Sequence, residues 1–294
     1  MPVSSPRAAL ATSTEVHRDV SAGGLRLRTT EWSSGTVPEG REPIIALPGA
    51  LAPRLSFRRL ALELESQFRF IAVDFPGFGE SEKPPPQRFP YGAAHFAEVM
   101  LDLFAGLGIP RAHVLGHGLG GSVAIHLAAR HPELVRRLAL LAPHVGRGAA
   151  QSRLQRVVSP LVGGLVFRQI VGRSLFSTFY KERIFTQVSA EELNDYYEAF
   201  TPPAARAALL ATLRGSSDPR NVIADLRRIR APQLIVWGHD DRLTPIEEGR
   251  FLSREMPSAG LEIVESGHAP HEERPDVVAP ILAKFFLGHR AGSG

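Results

Sequence analysis

From Val16 onward the chain alternates short runs of apolar and β-branched residues with longer stretches whose apolar positions recur at helical spacing. The runs LRLRTTEW, PIIALPG, FRFIAVDFPG, AHVLGHG, RLALLAP, PQLIVWG and LEIVESG predict strands. Several are apolar throughout, which is the pattern of parallel strands covered on both faces; a half-exposed strand would alternate. Between them, Tyr91–Leu107, Leu119–Arg130, Pro245–Met256 and Pro275–Leu287 predict helices. Strands and helices in alternation give an α/β architecture with a mostly parallel central sheet and flanking helices.

The rhythm breaks once. Residues 144–230 hold no convincing strand but do hold helical patterns, a capping box at Ser189-x-x-Glu192 and breakers at Gly163-Gly164 and Pro202-Pro203. This reads as a helical cap inserted between two strands of a core formed by residues 16–143 and 231–288. Residues 1–15, rich in Ser, Ala and Pro, read as a disordered tail.

Composition narrows the function classes. At 294 residues and 44% hydrophobic content the chain can bury a large core. No run of 18 apolar residues predicts a membrane span; PLVGGLVF (Pro160–Phe167) is too short, and the first dozen residues lack a signal peptide's apolar stretch. A cytoplasmic location is therefore the default expectation. The absence of cysteine excludes a disulfide framework, thiol catalysis and zinc–thiolate sites. The isoelectric point near 9.8 points towards nucleic acid, but the net charge is only +4 and the basic residues are scattered along the chain, so no nucleic-acid partner is expected.

The stretch VLGHGLGG, Val114 to Gly121, admits two incompatible readings. Gly116-x-Gly118-x-x-Gly121, after a strand and before a helix, matches a dinucleotide fingerprint. That reading fails at the next strand, LALLAPHV, which carries no acidic residue to hold the ribose. The other reading is a hydrolase nucleophile elbow, a sharp strand-to-helix turn, with glycine where its nucleophile belongs.

Every other landmark favours the elbow. LPGA (Leu47–Ala50) and DFPGFGES (Asp74–Ser81) follow strands; VWGHDDRLTP (Val236–Pro245) offers a carboxylate after a late strand; and SGHAPHEERP (Ser266–Pro275) offers a histidine after the last. The order elbow, acid, histidine is that of the α/β-hydrolase triad. From about Val16 to Leu287 these blocks closely resemble the α/β-hydrolase superfamily, in its helical-cap branch of esterases, lactonases, C–C hydrolases, epoxide hydrolases and dehalogenases. The resemblance implies that Asp241 is the triad acid, with Asp240 the weaker candidate, and that His268 is the base. It places the oxyanion hole at the backbone N–H groups of Ala50 and Leu119, and requires no cofactor or metal. Two departures stand out: Pro48-Gly49 replaces the family's common His-Gly, and Gly118 replaces Ser, Asp or Cys.

No other side chain takes over the nucleophile's role by position. Ser122, one turn into the next helix, is expected to be buried against the sheet, and His117 to pack behind the cleft. A metal site from His239, Asp241, His268 and His271 matches by residue type but completes no ligand-spacing motif. What remains is a His–carboxylate pair facing two backbone donors, suited to noncovalent base catalysis on a small apolar carbonyl or ester-like compound. The cap aromatics Phe176, Phe179, Tyr180 and Phe185 point to an apolar ligand. Two alternatives stay open: an inactive ligand-binding or interaction scaffold, and an ordinary serine hydrolase whose nucleophile is replaced in this copy.

Overall fold

A computed structural model describes residues 13–50, 52–145, 172–215 and 219–288. Eight strands form one sheet in the order β1-β2-β4-β3-β5-β6-β7-β8. They are β1 Thr14–Ala22, β2 Leu25–Ser33, β3 Ile44–Leu47, β4 Phe70–Val73, β5 Ala112–His117, β6 Val135–Leu141, β7 Gln233–Gly238 and β8 Gly260–Val264. From β4 across to β8 all neighbours are parallel, while β2 runs antiparallel to both β1 and β4.

The apolar runs are buried on both faces, as the pattern predicted, and they split with period two. Ile45, Leu47, Ile71, Val73 and Val114 join one core with Phe96, Met100, Val123 and Leu127. Their chain neighbours Ile44, Ala46, Phe70, Ala72 and Leu115 join a second core with Leu60, Leu64, Leu282 and Phe286. Each large apolar side chain so buried contributes about 1.5–3 kcal/mol.

The first core is covered by α2 (Ala93–Gly106) and α3 (Leu119–Arg130), the second by α1 (Arg58–Leu64) and α10 (Pro275–Phe286). Between β6 and β7 lie α4 (Arg173–Phe179), α5 (Ala190–Phe200), α6 (Pro203–Gly215) and α7 (Pro219–Leu226); after β7 comes α8 (Ile246–Glu255), and after β8 the short α9 (Pro270–Glu273). Among the described residues no strand interrupts 144–230. The capping box is formed: Ser189 Oγ accepts from Glu192 N–H at 3.1 Å, and Glu192 Oε2 accepts from Ser189 N–H at 2.9 Å. Gly163-Gly164 and Pro160–Phe167 lie outside the described residues. No helix among the described residues is long and apolar enough to cross a membrane.

Two expectations need correcting. The segment read as a tail over residues 1–15 ends too late, because β1 begins at Thr14 and pairs with β2 from Thr14↔Ser33 to Ala22↔Leu25. This edge strand buries only Val20 and Ala22, so its ladder hydrogen bonds leave almost no hydrophobic signature in the sequence. Three of the aromatics expected to face a ligand, Phe176, Tyr180 and Phe185, are instead buried against other aromatic side chains and join the first core. The Phe176 ring lies 4.4 Å from that of Tyr180 and 5.3 Å from that of Phe200, and Tyr180 lies 5.1 Å from Tyr196.

Candidate active site

At the carboxyl end of β5 the chain turns sharply through Gly118 into α3. Gly118 has φ 52° and ψ −115°, a backbone state that L side chains rarely adopt. The turn is held by Gly118 N–H donating to Leu141 O at 3.1 Å and by Gly118 O accepting from His144 N–H at 2.8 Å.

The neighbouring glycines are there for space. A Cβ at Gly116 would lie 2.4 Å from Gly120 O, one at Gly120 2.0 Å from Leu47 O, and one at Gly121 2.5 Å from Pro143 Cβ. Only without side chains can α3 sit this close to the ends of β3 and β6. Position 118 is different: a Cβ there would make ordinary contacts, 3.5 Å from Gly49 Cα and 3.6 Å from His268 Nε2. The glycine spacing thus serves a tight strand–turn–helix. A pyrophosphate at the start of α3 would also have to displace Pro48 O, which already accepts from Gly120 N–H at 3.0 Å.

His268 follows β8 and Asp241 follows β7. His268 Nδ1 donates to Asp241 Oδ2 at 2.8 Å, leaving Nε2 directed at the Gly118 turn. Asp241 Oδ1 accepts from the N–H groups of Leu243 (2.9 Å) and Thr244 (2.8 Å), and Oδ2 accepts from Thr244 Oγ1 at 2.7 Å. Burial raises the Asp241 pKa, but the His268 interaction and the Thr244 hydrogen bonds outweigh it and hold the carboxyl below its ordinary value. Asp240, one residue earlier, is exposed and bonds to His239 at 3.0 Å.

The backbone of His268 is clamped. Its N–H donates to Ile184 O at 2.7 Å and its carbonyl accepts from His117 Nε2 at 3.0 Å. That bond fixes the His117 tautomer, and the buried Nδ1 has no partner among the described residues. Burial, with the charge of His268 adding to it, pushes the His117 pKa down to about 3, so this ring stays neutral. His271 packs against His117 with ring centres 4.6 Å apart and is likewise pushed well below its usual value, first by burial.

Gly118, His268 and Asp241 therefore meet at one place, with Ala50 after β3 and Leu119 at the start of α3. His117 packs behind the cleft, and Ser122 is buried, its hydroxyl bonded to His144 O. The metal set considered from the sequence does not assemble: among the described residues, the one group with ligand-like spacing is the exposed trio His239, Asp240 and Glu265. Sequence reasoning passed over two residues. Thr244 was visible within VWGHDDRLTP, but nothing in the run marks its hydroxyl as a partner of both Asp241 and His268 (3.1 Å). His144, whose pKa burial pushes down to about 4, was read as the first cap residue. Ala50, Ala52, Phe78, Tyr196, Phe200 and Ala205 line a small recess of about 20 Å³ at the loop that follows β3.

Residues 42–275 match the α/β-hydrolase fold family, and the chain belongs to it. It is 29% identical over 260 residues to the pimeloyl-[acyl-carrier protein] methyl ester esterase of Neisseria meningitidis, covering 86% of this chain and 96% of that one. It is 26% identical over 260 residues to the uncharacterized hydrolase YugF of Bacillus subtilis, covering 84% and 90%. The solved 2-hydroxy-6-oxo-6-phenylhexa-2,4-dienoate hydrolase of Rhodococcus sp. strain RHA1 aligns with a TM-score of 0.79 at 21% identity, over 94% of this chain and 100% of that one. At that identity the likeness is one of fold.

Proposed function

We propose that this chain acts on a small apolar carbonyl or ester-like compound, with His268 as a general base oriented by Asp241 and without a covalent intermediate. One observation carries this reading: His268 Nε2 faces the space that a side chain at position 118 would fill, 3.6 Å from its Cβ, while the hydrogen bonds that orient the histidine are intact. With Nδ1 protonated towards Asp241, Nε2 presents its lone pair to that space. A water there gives its proton to Nε2 as it attacks a carbonyl; a substrate C–H beside a carbonyl can give up its proton to the same atom. In either case the negative charge that develops on the carbonyl oxygen is met by the N–H groups of Ala50 and Leu119. A positioned base contributes about 10²–10⁴-fold, and each oxyanion donor about 10²–10³-fold. Similarity to a methyl ester esterase supports the ester class.

The test pairs a covalent probe with turnover. A fluorophosphonate should leave the chain unlabelled, because no activated hydroxyl among the described residues faces the turn, while a panel of small esters and enol-lactones should include one turned over by the wild type and not by His268→Ala. Labelling mapped by peptide mass spectrometry to a serine would establish a covalent mechanism instead. Turnover undiminished in His268→Ala would remove the histidine from the reaction, and no turnover across the panel would leave the scaffold reading in its place.

A further inference from the structure

The basic residues are scattered along the sequence, but the fold gathers several of them at the end of the sheet opposite the candidate active site. Arg111 precedes β5, Arg136 and Arg137 lie at the start of β6, and Arg230 shortly precedes β7. All four line one open-sided cavity of about 350 Å³.

Neighbouring residues of a regular strand point to opposite faces of the sheet, yet Arg136 and Arg137 share this cavity. The register explains how. Ala112 pairs with Val135 and Val114 with Leu138, so two residues of β6 oppose the single residue His113 of β5. Such a bulge breaks the alternation and re-aims side chains. The Arg137 guanidinium is held over the Phe285 ring, 5.6 Å from its centre, which limits its freedom before any ligand arrives.

The charge at this end is largely uncompensated. Arg136 pairs with Glu42 at 3.5 Å, and Glu133, which also lines the cavity, faces His131 at 3.4 Å. Among the described residues no ion pair holds Arg111, Arg137 or Arg230. Burial presses the pKa of the adjacent buried His113 down to about 4, with the Glu42 charge opposing and the smaller Arg137, Arg136 and Arg111 charges adding. Its Nδ1 is buried with no partner among the described residues.

We propose that Arg111, Arg136, Arg137 and Arg230 form a binding site for a small oxyanion carrying two or more negative charges, of the phosphate or polycarboxylate class. Guanidinium forks match the paired oxygens of both classes, and a cavity of about 350 Å³ falls in the size range of small-molecule sites. This site stands apart from the chemistry at Gly118 and does not depend on it.

The test is isothermal titration of the full chain with inorganic pyrophosphate and, separately, with citrate, both at constant ionic strength. Saturable 1:1 binding of either, with Kd no weaker than about 1 mM, supports the site, and the tighter of the two gives the class. Arg136→Gln with Arg230→Gln should weaken that binding at least tenfold, and Arg111→Gln alone should weaken it measurably. Arg58→Gln with Arg88→Gln, two exposed arginines elsewhere, should leave it unchanged. No saturable binding of either anion overturns the proposal. So does undiminished binding in the Arg136/Arg230 variant, or an equal loss in the Arg58/Arg88 control, which would mark diffuse electrostatics.

Discussion

At Gly118 the cost of a side chain is conformational and not steric, and this sets what a substitution there should do. A non-glycine residue at φ 52°, ψ −115° carries strain of about 1–3 kcal/mol, while its Cβ meets no atom of the described residues closer than 3.5 Å. Gly118→Ser should therefore fold with a modest loss of stability and set a hydroxyl beside His268 Nε2. The expected gain is burst-phase hydrolysis of short activated aryl esters, read by stopped-flow absorbance. It should vanish when His268→Ala is added. A well-folded Gly118→Ser protein with no burst would mean that Pro48 or the loop carrying Ala50 does not supply an oxyanion hole. The residues that meet at this turn were legible because each sits at a fixed offset from a strand end: His268 after β8, Asp241 after β7, Gly118 after β5. Thr244 was not legible, because its role arises from a turn that folds its hydroxyl back on Asp241 Oδ2, and a threonine in a loop carries no such mark in the sequence.

The strand–turn–helix unit of β5, Gly118 and α3 depends on close approach, and the glycines divide accordingly. Gly120→Ala would drive a methyl to 2.0 Å from Leu47 O, and Gly116→Ala to 2.4 Å from Gly120 O. Both contacts are with backbone and neither can be relieved by turning a side chain, so each variant should lose about 3 kcal/mol or more, or fail to fold, as overpacking at its most severe does. Gly118→Ala, in the same hexapeptide, should lose only the strain and stay folded. Chemical denaturation of the three variants checks the ranking; a Gly118→Ala protein less stable than Gly120→Ala would contradict the division. Elements announced themselves unevenly for a related reason. The parallel strands and α2, α3, α8 and α10 were readable because burial dictates their apolar pattern. Strand β1 was not, since backbone pairing with β2 holds it and only Val20 and Ala22 face the core.

Across the whole molecule, the helices between β6 and β7 are tied to the core by polar contacts as well as by packing. On one side His126 of α3 bonds to the buried Asp225 of α7 at 2.7 Å, with Arg130 on the same carboxylate at 3.1 Å. On the other, Tyr196 of α5 donates its hydroxyl to Glu272 of α9, and Glu192 of α5 pairs with Arg59 of α1. Glu272 is the titratable member of this second tie. Burial above all raises its pKa to about 8, with the Glu192 and Glu273 charges adding and the Tyr196 bond and the Arg59 charge opposing. His271 Nε2 lies 3.6 Å away but stays neutral. An unfolded glutamate titrates near about 4.3, so between that pH and about 8 the folded chain binds the extra proton. The contribution of Glu272 to stability is thus full below about pH 4.3, falls as the pH rises through about 8, and is flat above. Glu272→Gln keeps an acceptor for Tyr196 and cannot ionise. Its melting temperature should therefore match the wild type near pH 4 and exceed it by a margin that widens up to about pH 8, reaching the equivalent of at least about 1 kcal/mol near pH 9. The buried histidines also make stability depend on pH, but they are common to both proteins, and the difference between the two calorimetric profiles removes them. Parallel profiles from pH 5 to 9 would show that Glu272 reaches enough water to ionise freely, and that the tie between α5 and α9 is insensitive to pH.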